Sequence, residues 1–249
     1  MKITRRDDAL RAGADEVARV LVENGHRAFF AGGCVRDLVL GHAPKDYDIA
    51  TDAHPDRVLR LFRRTVMVGA AFGVVRVIID HGKEYEIATF RTEGVYADGR
   101  RPEEVAYTDS EKEDVERRDF TINALLLDPR DDEVIDHVGG LADLHAGLIR
   151  AVGDPVLRFA EDKLRMLRAV RFVARFGFDV EPRTLEAIHQ HATDLGQVSV
   201  ERIVMELQAI WASARPGVGM RLLASTGLLN VAISSLTSAD VEPLASRFD

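Results

Sequence analysis

Asp46 and Asp48 stand two residues apart in Lys45-Asp46-Tyr47-Asp48-Ile49, a run that reads as a strand. Residues i and i+2 of a strand share a side, so the two carboxylates point at one place. Like charges that close repel unless a cation joins them, and hard oxygen donors suit Mg²⁺. About ten residues upstream, Ala31-Gly32-Gly33-Cys34-Val35-Arg36-Asp37 passes from a strand through two glycines into a helix. Glycines let a backbone approach a phosphate, the new helix offers unpaired N–H groups, and Arg36 adds positive charge in its first turn. A metal on the carboxylates could then bridge the phosphates of a nucleotide held by the turn. Each motif also has a plainer reading, a tight turn or a solvated surface strand. The spacing between them favours the chemistry. Glu86, in Glu84-Tyr85-Glu86-Ile87, is the candidate third carboxylate, as ligand or general base; alternatively Glu84 and Glu86 only solvate one face of their strand.

Glu161-Asp162-Lys163-Leu164-Arg165-Met166-Leu167-Arg168-Ala169-Val170-Arg171 carries a second kind of chemistry. At about 100° per residue, Met166, Leu167, Val170, Val173 and Ala174 share one side. Glu161, Asp162, Arg165, Arg168 and Arg175 share the other, with Arg171 at its edge. This is either a solvated face with an Asp162–Arg165 ion pair or a surface for phosphate or base. A carboxylate accepts from an exocyclic amine, and a guanidinium donates to a ring nitrogen or carbonyl. Side by side they match the Watson–Crick edge of cytosine or adenine, whereas uracil and guanine present an oxygen where the amine should be. Such a pair would select CTP and ATP without a template. Between the two regions lies Arg117-Arg118-Asp119-Phe120-Thr121-Ile122-Asn123-Ala124. Its arginines could neutralise a triphosphate and its Asp119 and Asn123 could hold ribose hydroxyls, or the arginines simply pair with Glu113, Asp114 and Glu116.

The elements that must position these groups read as follows. Ala9 to Val22 has helical periodicity, Arg27 to Ala31 and Asp46 to Thr51 are strands, and Cys34 to Leu40 is a helix stopped by Gly41. A helix starts at Pro55 and runs to about Arg64, with proline in its first turn. Val74 to Asp80 and Lys83 to Phe90 form a hairpin around His81-Gly82. Arg91 to Ser110 reads as a long mobile loop. Phe120 to Leu127 and Glu133 to Asp136 follow. From about Pro155 the strand signal stops, and 155–178, 182–195 and 199–214 are helical, with Thr184, Ser199, Gly177 and Gly196 where caps and stops belong. The organisation is a head over 1–150 and a helical module over 151–249. With 46% hydrophobic residues, 249 residues can bury a core. The charge of −8 confines any nucleic-acid contact to local basic patches. One cysteine excludes an intramolecular disulfide and fits a reducing cytoplasm. No run is long enough for a membrane helix, and the charged N-terminus lacks a signal-peptide core.

Taken in order, Gly32–Asp37, Asp46-Tyr47-Asp48, Glu86–Arg91, Arg117–Ala124, Glu161–Arg168 and Val200-Glu201-Arg202-Ile203 resemble the class II tRNA nucleotidyltransferase (CCA-adding enzyme) and bacterial poly(A) polymerase family. The resemblance implies an α/β (α+β) fold: a polymerase-β-like head with a mixed sheet, then an all-helical neck; members of the family usually continue into body and tail domains, so the chain is either a fragment or a reduced form. It implies that Asp46 and Asp48 carry Mg²⁺ with Glu86 as third carboxylate, and that Gly33, Arg36 and Arg118 contact the triphosphate. Asn123 would lie near the sugar, Asp162 and Arg165 would read the base, and Arg168 and Arg171 would support the nucleotide. The implied reaction is attack of an RNA 3′-hydroxyl on the α-phosphate of CTP or ATP, with tRNA as substrate and pyrophosphate released. The loop over Arg91 to Arg101 looks more like that of CCA- or A-adding members. The alternatives are a poly(A) polymerase and, from another class, a non-catalytic nucleotide- or RNA-binding module.

Overall fold

The computed structural model describes residues 1–4, 9–68, 73–79, 82–92 and 106–233. Most of the loop read over Arg91 to Ser110, the tip of the hairpin at His81 and the tail from Leu236 lie outside the described residues. The chain divides into two compact units between Leu141 and Ala142.

The first unit contains α1 (Ala9–Glu23), β1 (Ala28–Ala31), α2 (Gly33–Val39), β2 (Asp48–Thr51), α3 (Pro55–Leu61), β3 (Thr65–Met67), β4 (Val74–Ile78), β5 (Glu84–Thr89), α4 (Glu111–Glu116), β6 (Leu125–Asp128) and β7 (Glu133–Asp136); α5 (Gly140–Ala146) spans the division. Its sheet runs β3-β4-β5-β2-β1-β6-β7. Only β2 and β5 pair in parallel; the other neighbours are antiparallel. The central strands β1 and β6 are buried along their whole length, whereas β4 and β5 alternate. That is the pattern of a sheet covered on both faces at its centre and on one face towards its edge. β3 is a three-residue edge strand that the helix reading beginning at Pro55 passed over: α3 ends at Leu61, and Thr65 to Met67 turn extended against β4.

α1 packs closely on the sheet because Gly13 leaves room for an aromatic ring. A Cβ there would stand 2.2 Å from the Tyr85 hydroxyl. That hydroxyl donates to the Leu10 carbonyl at 2.9 Å. Arg11, on the same helix, is only 1% exposed. Its guanidinium reaches Asp15 at 2.8 Å and Asp132 at 2.6 Å and lies 4.7 Å from the Phe30 ring centre. A buried cation is tolerable only when its charge is answered, so this link ties α1 to the turn between β6 and β7.

The second unit contains β8 (Leu148–Ile149), α6 (Pro155–Glu161), α7 (Leu164–Phe176), β9 (Asp179–Val180), α8 (Pro182–His191), α9 (Val200–Trp211), α10 (Pro216–Ser225) and α11 (Leu228–Ala232). It is helical apart from the parallel pair β8–β9, each strand two residues long and too short for periodicity to register. The stretch read as one helix over 155–178 is two. Asp162 is extended (φ −145°, ψ 102°), and its carboxylate accepts from the Leu164 N–H at 3.1 Å. It ends α6, and its carboxylate takes up the first N–H of α7, two residues on. Gly177 stops α7 in the left-handed region (φ 73°), as its position suggested. Thr184 is not the cap of α8: Glu181 takes that place and accepts from both the backbone N–H and the hydroxyl of Thr184 at 2.9 Å. Ser199 precedes α9 without a side-chain cap bond.

Arg11→Met should cost about 3 kcal/mol by leaving Asp132 without its buried partner. Urea unfolding measures this, and an unchanged midpoint would contradict the assigned role of the link.

Candidate active site

The first unit gathers most of the chemistry where β2 begins. Tyr47 is buried and sits edge-on to Phe30 at 5.1 Å, while Asp46 and Asp48 on either side of it are exposed. Asp46 precedes the strand rather than belonging to it, yet the in–out alternation around Tyr47 keeps both carboxylates outward. The parallel register pairs Ile49 with Ile87, which sets Asp48 beside Glu86 one step earlier. Asp48 is open to solvent but closely surrounded by protein, and that partial loss of water, followed by the negative charges of Asp46 and Glu86, pushes its carboxyl up to about 6; the Arg118 guanidinium opposes the shift. Those four side chains therefore share one electrostatic neighbourhood.

In this structure Glu86 is engaged by a neighbouring cation. It faces Arg76 across the β4–β5 hairpin and takes its guanidinium at 2.9 Å. Arg76 also meets Glu84 at 3.2 Å. Among the described residues, no three His, Cys, Asp or Glu side chains are drawn together closely enough to hold a metal ion. The residues that fit a hard divalent cation are Asp46 and Asp48, because the crowded negative charge that raises the Asp48 carboxyl is what a cation would relieve. The hairpin register could have revealed Arg76, which falls directly opposite Glu86.

Gly32 makes the turn before α2 with φ 73° and ψ −122°, a conformation only glycine enters freely. A Cβ there would come within 3.1 Å of the Arg118 guanidinium, so that cation lies directly against the turn. Arg118 donates to the Asn123 carbonyl at 3.3 Å and to Asp114 at 2.9 Å. Asp114 is buried and also binds Arg117 at 2.5 Å. Burial alone would raise the Asp114 carboxyl, but the two guanidiniums outweigh it and hold it below the usual carboxylate range. The acid anchoring both arginines is thus Asp114. Arg117 faces away from the turn: it donates to the Arg91 carbonyl at 3.0 Å, and burial lowers its guanidinium to about 10. Of the two arginines, Arg118 is the one that lies against the glycine turn.

Arg36 and Asn123 are below the surface rather than at it. Arg36 is 3% exposed and Asn123 is 8% exposed. Arg36 donates to Asp37 at 2.8 and 2.9 Å and to the Asn123 side-chain carbonyl. Asn123 in turn donates to Asp119 at 3.1 Å. Arg36, Asp37, Asn123 and Asp119 thus form a buried network under Gly33. Cys34 lies nearby, its thiol donating to the Ala31 carbonyl at 3.3 Å and pushed up to about 12 by burial and the negative charge of Asp48.

In the second unit, Asp162 and Arg165 do not pair with each other. The Arg165 N–H donates to the Asp162 carbonyl at 3.0 Å, but the two side chains turn to other partners. Asp162 binds Arg202 of α9 at 2.8 Å, and Arg165 binds Glu161 at 2.5 Å and the Arg158 carbonyl at 3.0 Å. Arg168 and Arg171 lie over Phe172 at 5.7 and 5.0 Å, and Arg171 also meets Glu206 at 3.1 Å. Arg202, in the Val200–Ile203 block, is a supporting residue that charge pattern alone did not single out.

Residues 28–150 match the family described as the poly A polymerase head domain, and residues 177–240 match the probable RNA and SrmB-binding site of polymerase A. The CCA-adding enzyme of Levilactobacillus brevis is 48% identical over 215 residues, covering 86% of this chain and 54% of that protein. That of Bacillus pumilus is 47% identical over 212 residues, covering 85% and 52%. The crystal structure of the Bacillus stearothermophilus CCA-adding enzyme in complex with CTP superposes with a TM-score of 0.82 at 40% identity, covering 89% of this chain and 53% of that one. This chain spans about half the length of the relatives it matches.

With the folded Asp48 raised to about 6, the folded state keeps a proton that the unfolded chain loses near pH 4, so between these values stability falls as pH rises. Removing the charge should reverse that. In metal-free buffer, Asp48→Asn should gain about 1 kcal/mol at pH 8, after allowance for solvent screening, and nothing near pH 4. Urea denaturation at the two pH values checks this; a loss at pH 8 would contradict it.

Proposed function

The chain belongs to the family of CCA-adding tRNA nucleotidyltransferases and bacterial poly(A) polymerases, and from that membership we propose that it adds C and A residues from CTP and ATP to the 3′ end of tRNA, releasing pyrophosphate. The observation that carries the reading is the convergence of Asp46, Asp48 and Arg118 beside the Gly32 turn. Asp46 and Asp48 are the groups to hold magnesium, which when bound lowers the pKa of the attacking hydroxyl and steadies the leaving pyrophosphate. Arg118, anchored on Asp114, faces the triphosphate at the turn and answers the charge that builds up on its oxygens. Glu86, held by Arg76, keeps its negative charge beside Asp48 and acts on the site electrostatically.

Nucleotide choice falls to the second unit. Asp162, braced by Arg202 and by the start of α7, can accept from the exocyclic amine of cytosine or adenine. Arg165, braced by Glu161, can donate to the neighbouring ring nitrogen. Each is braced by a partner other than its base-reading neighbour. Arg168 and Arg171, stacked on Phe172, support the bound nucleotide. No helix among the described residues is long and apolar enough to cross a membrane, and a cytoplasmic site of action agrees with the lone buried thiol.

The test is incorporation of labelled CTP, ATP, UTP and GTP, each offered alone and in combination, into tRNA lacking its end. Addition of C and A residues only, and a bounded number of them, is expected. Long ATP-only tails on any RNA would assign poly(A) polymerase activity instead, and nucleotide binding without turnover would assign a binding module. Asp46→Asn and Asp48→Asn should each reduce incorporation by about a thousandfold or more. Asp162→Ala should lower the preference for CTP over UTP by roughly 10- to 100-fold, and a preference left intact would remove Asp162 from base reading.

A further inference from the structure

Asn123 joins two cations that stand on either side of the glycine turn. Its side-chain carbonyl accepts from Arg36, whose guanidinium lies 3.5 Å from where a Cβ on Gly33 would be. Its backbone carbonyl accepts from Arg118 at 3.3 Å, and Arg118 lies 3.1 Å from where a Cβ on Gly32 would be. Its amide nitrogen donates to Asp119 at 3.1 Å, and the same Asp119 oxygen accepts from the Phe120 N–H at 2.8 Å. That last bond leaves no choice of orientation. Asp119 is a pure acceptor, so the amide must turn its NH₂ to Asp119 and its oxygen to Arg36.

We propose that Asn123 is a positioning residue for nucleotidyl transfer, fixing the spacing of Arg36 and Arg118 beneath and beside Gly32-Gly33, with Asp119 setting its orientation. It acts from inside the fold and does not touch the sugar. Arg36 is correspondingly a buried support for the Gly33 backbone, and Arg118 is the cation offered to the triphosphate. The inference rests on the nucleotidyl-transfer reading for its catalytic consequence and on the hydrogen-bond geometry alone for its effect on polyphosphate binding.

Substitutions that separate orientation from bulk test it in the full chain. In Asn123→Asp the side chain still accepts from Arg36 but sets a carboxylate against Asp119 in place of a donor. The double variant Asp119→Asn/Asn123→Asp restores one donor and one acceptor with the roles exchanged. Asn123→Asp should raise the KM for CTP and ATP about tenfold, with the KM for tRNA unchanged. It should weaken binding of inorganic tripolyphosphate, followed by calorimetry, by a similar factor. The double variant should recover most of both losses. A purely structural role would lower the melting temperature without splitting nucleotide KM from tRNA KM. Equal behaviour of the single and double variants would overturn the part given to Asp119, and wild-type tripolyphosphate binding in Asn123→Asp would overturn the proposal. Should the wild type incorporate no nucleotide at all, the functional reading fails, while the tripolyphosphate measurement still decides the role of Asn123.

Discussion

Everything at the site follows from one electrostatic conflict. Three carboxylates, Asp46, Asp48 and Glu86, are brought together by the single parallel pairing in an otherwise antiparallel sheet. Left alone, such a group would weaken the fold, and the surrounding structure is arranged to contain it. Arg76 takes up Glu86, Arg118 offsets Asp48, and Asp114 holds Arg118 where it can do so. The remaining imbalance is concentrated on Asp48, which is where a cation and a nucleotide have most to gain by binding.

Much of this was legible in the sequence, and the parts that were not share a cause. Strand alternation placed Asp46 and Asp48 outward around Tyr47, because a period of two survives even where one carboxylate lies just outside the strand. Glycine before a helix gave the turn, because a φ of 73° excludes nearly every other residue. What alternation cannot supply is the partner across a strand or between distant segments. Alternation gave Glu86 its face but not its cross-strand neighbour Arg76. Nor could it show that Arg36 and Asn123 are buried against each other, since complementary partners let polar side chains lie inside the fold.

The same limit explains the second unit. Periodicity found the apolar face of α7, and Met166, Leu167, Val170, Val173 and Ala174 are all buried. It ran through Asp162 because the interruption, Asp162-Lys163, is only two residues long, between about two helical turns in α6 and more than three in α7. The break itself depends on a local competition that Asp wins: a carboxylate bonding a backbone N–H two residues on favours a cap over continued helix. On either side of the break each side chain has its own brace, Arg202 for Asp162 and Glu161 for Arg165.

Cys34, the chain's lone sulfhydryl, is sealed under the glycine turn and held protonated across the physiological range. Maleimides and iodoacetamides react with thiolates, so the native molecule is silent towards them. A cysteine engineered at any exposed position would therefore be the sole point of attachment for a fluorophore or spin label. The protein is in this sense already prepared for spectroscopic distance measurements, with no background substitution near its carboxylates.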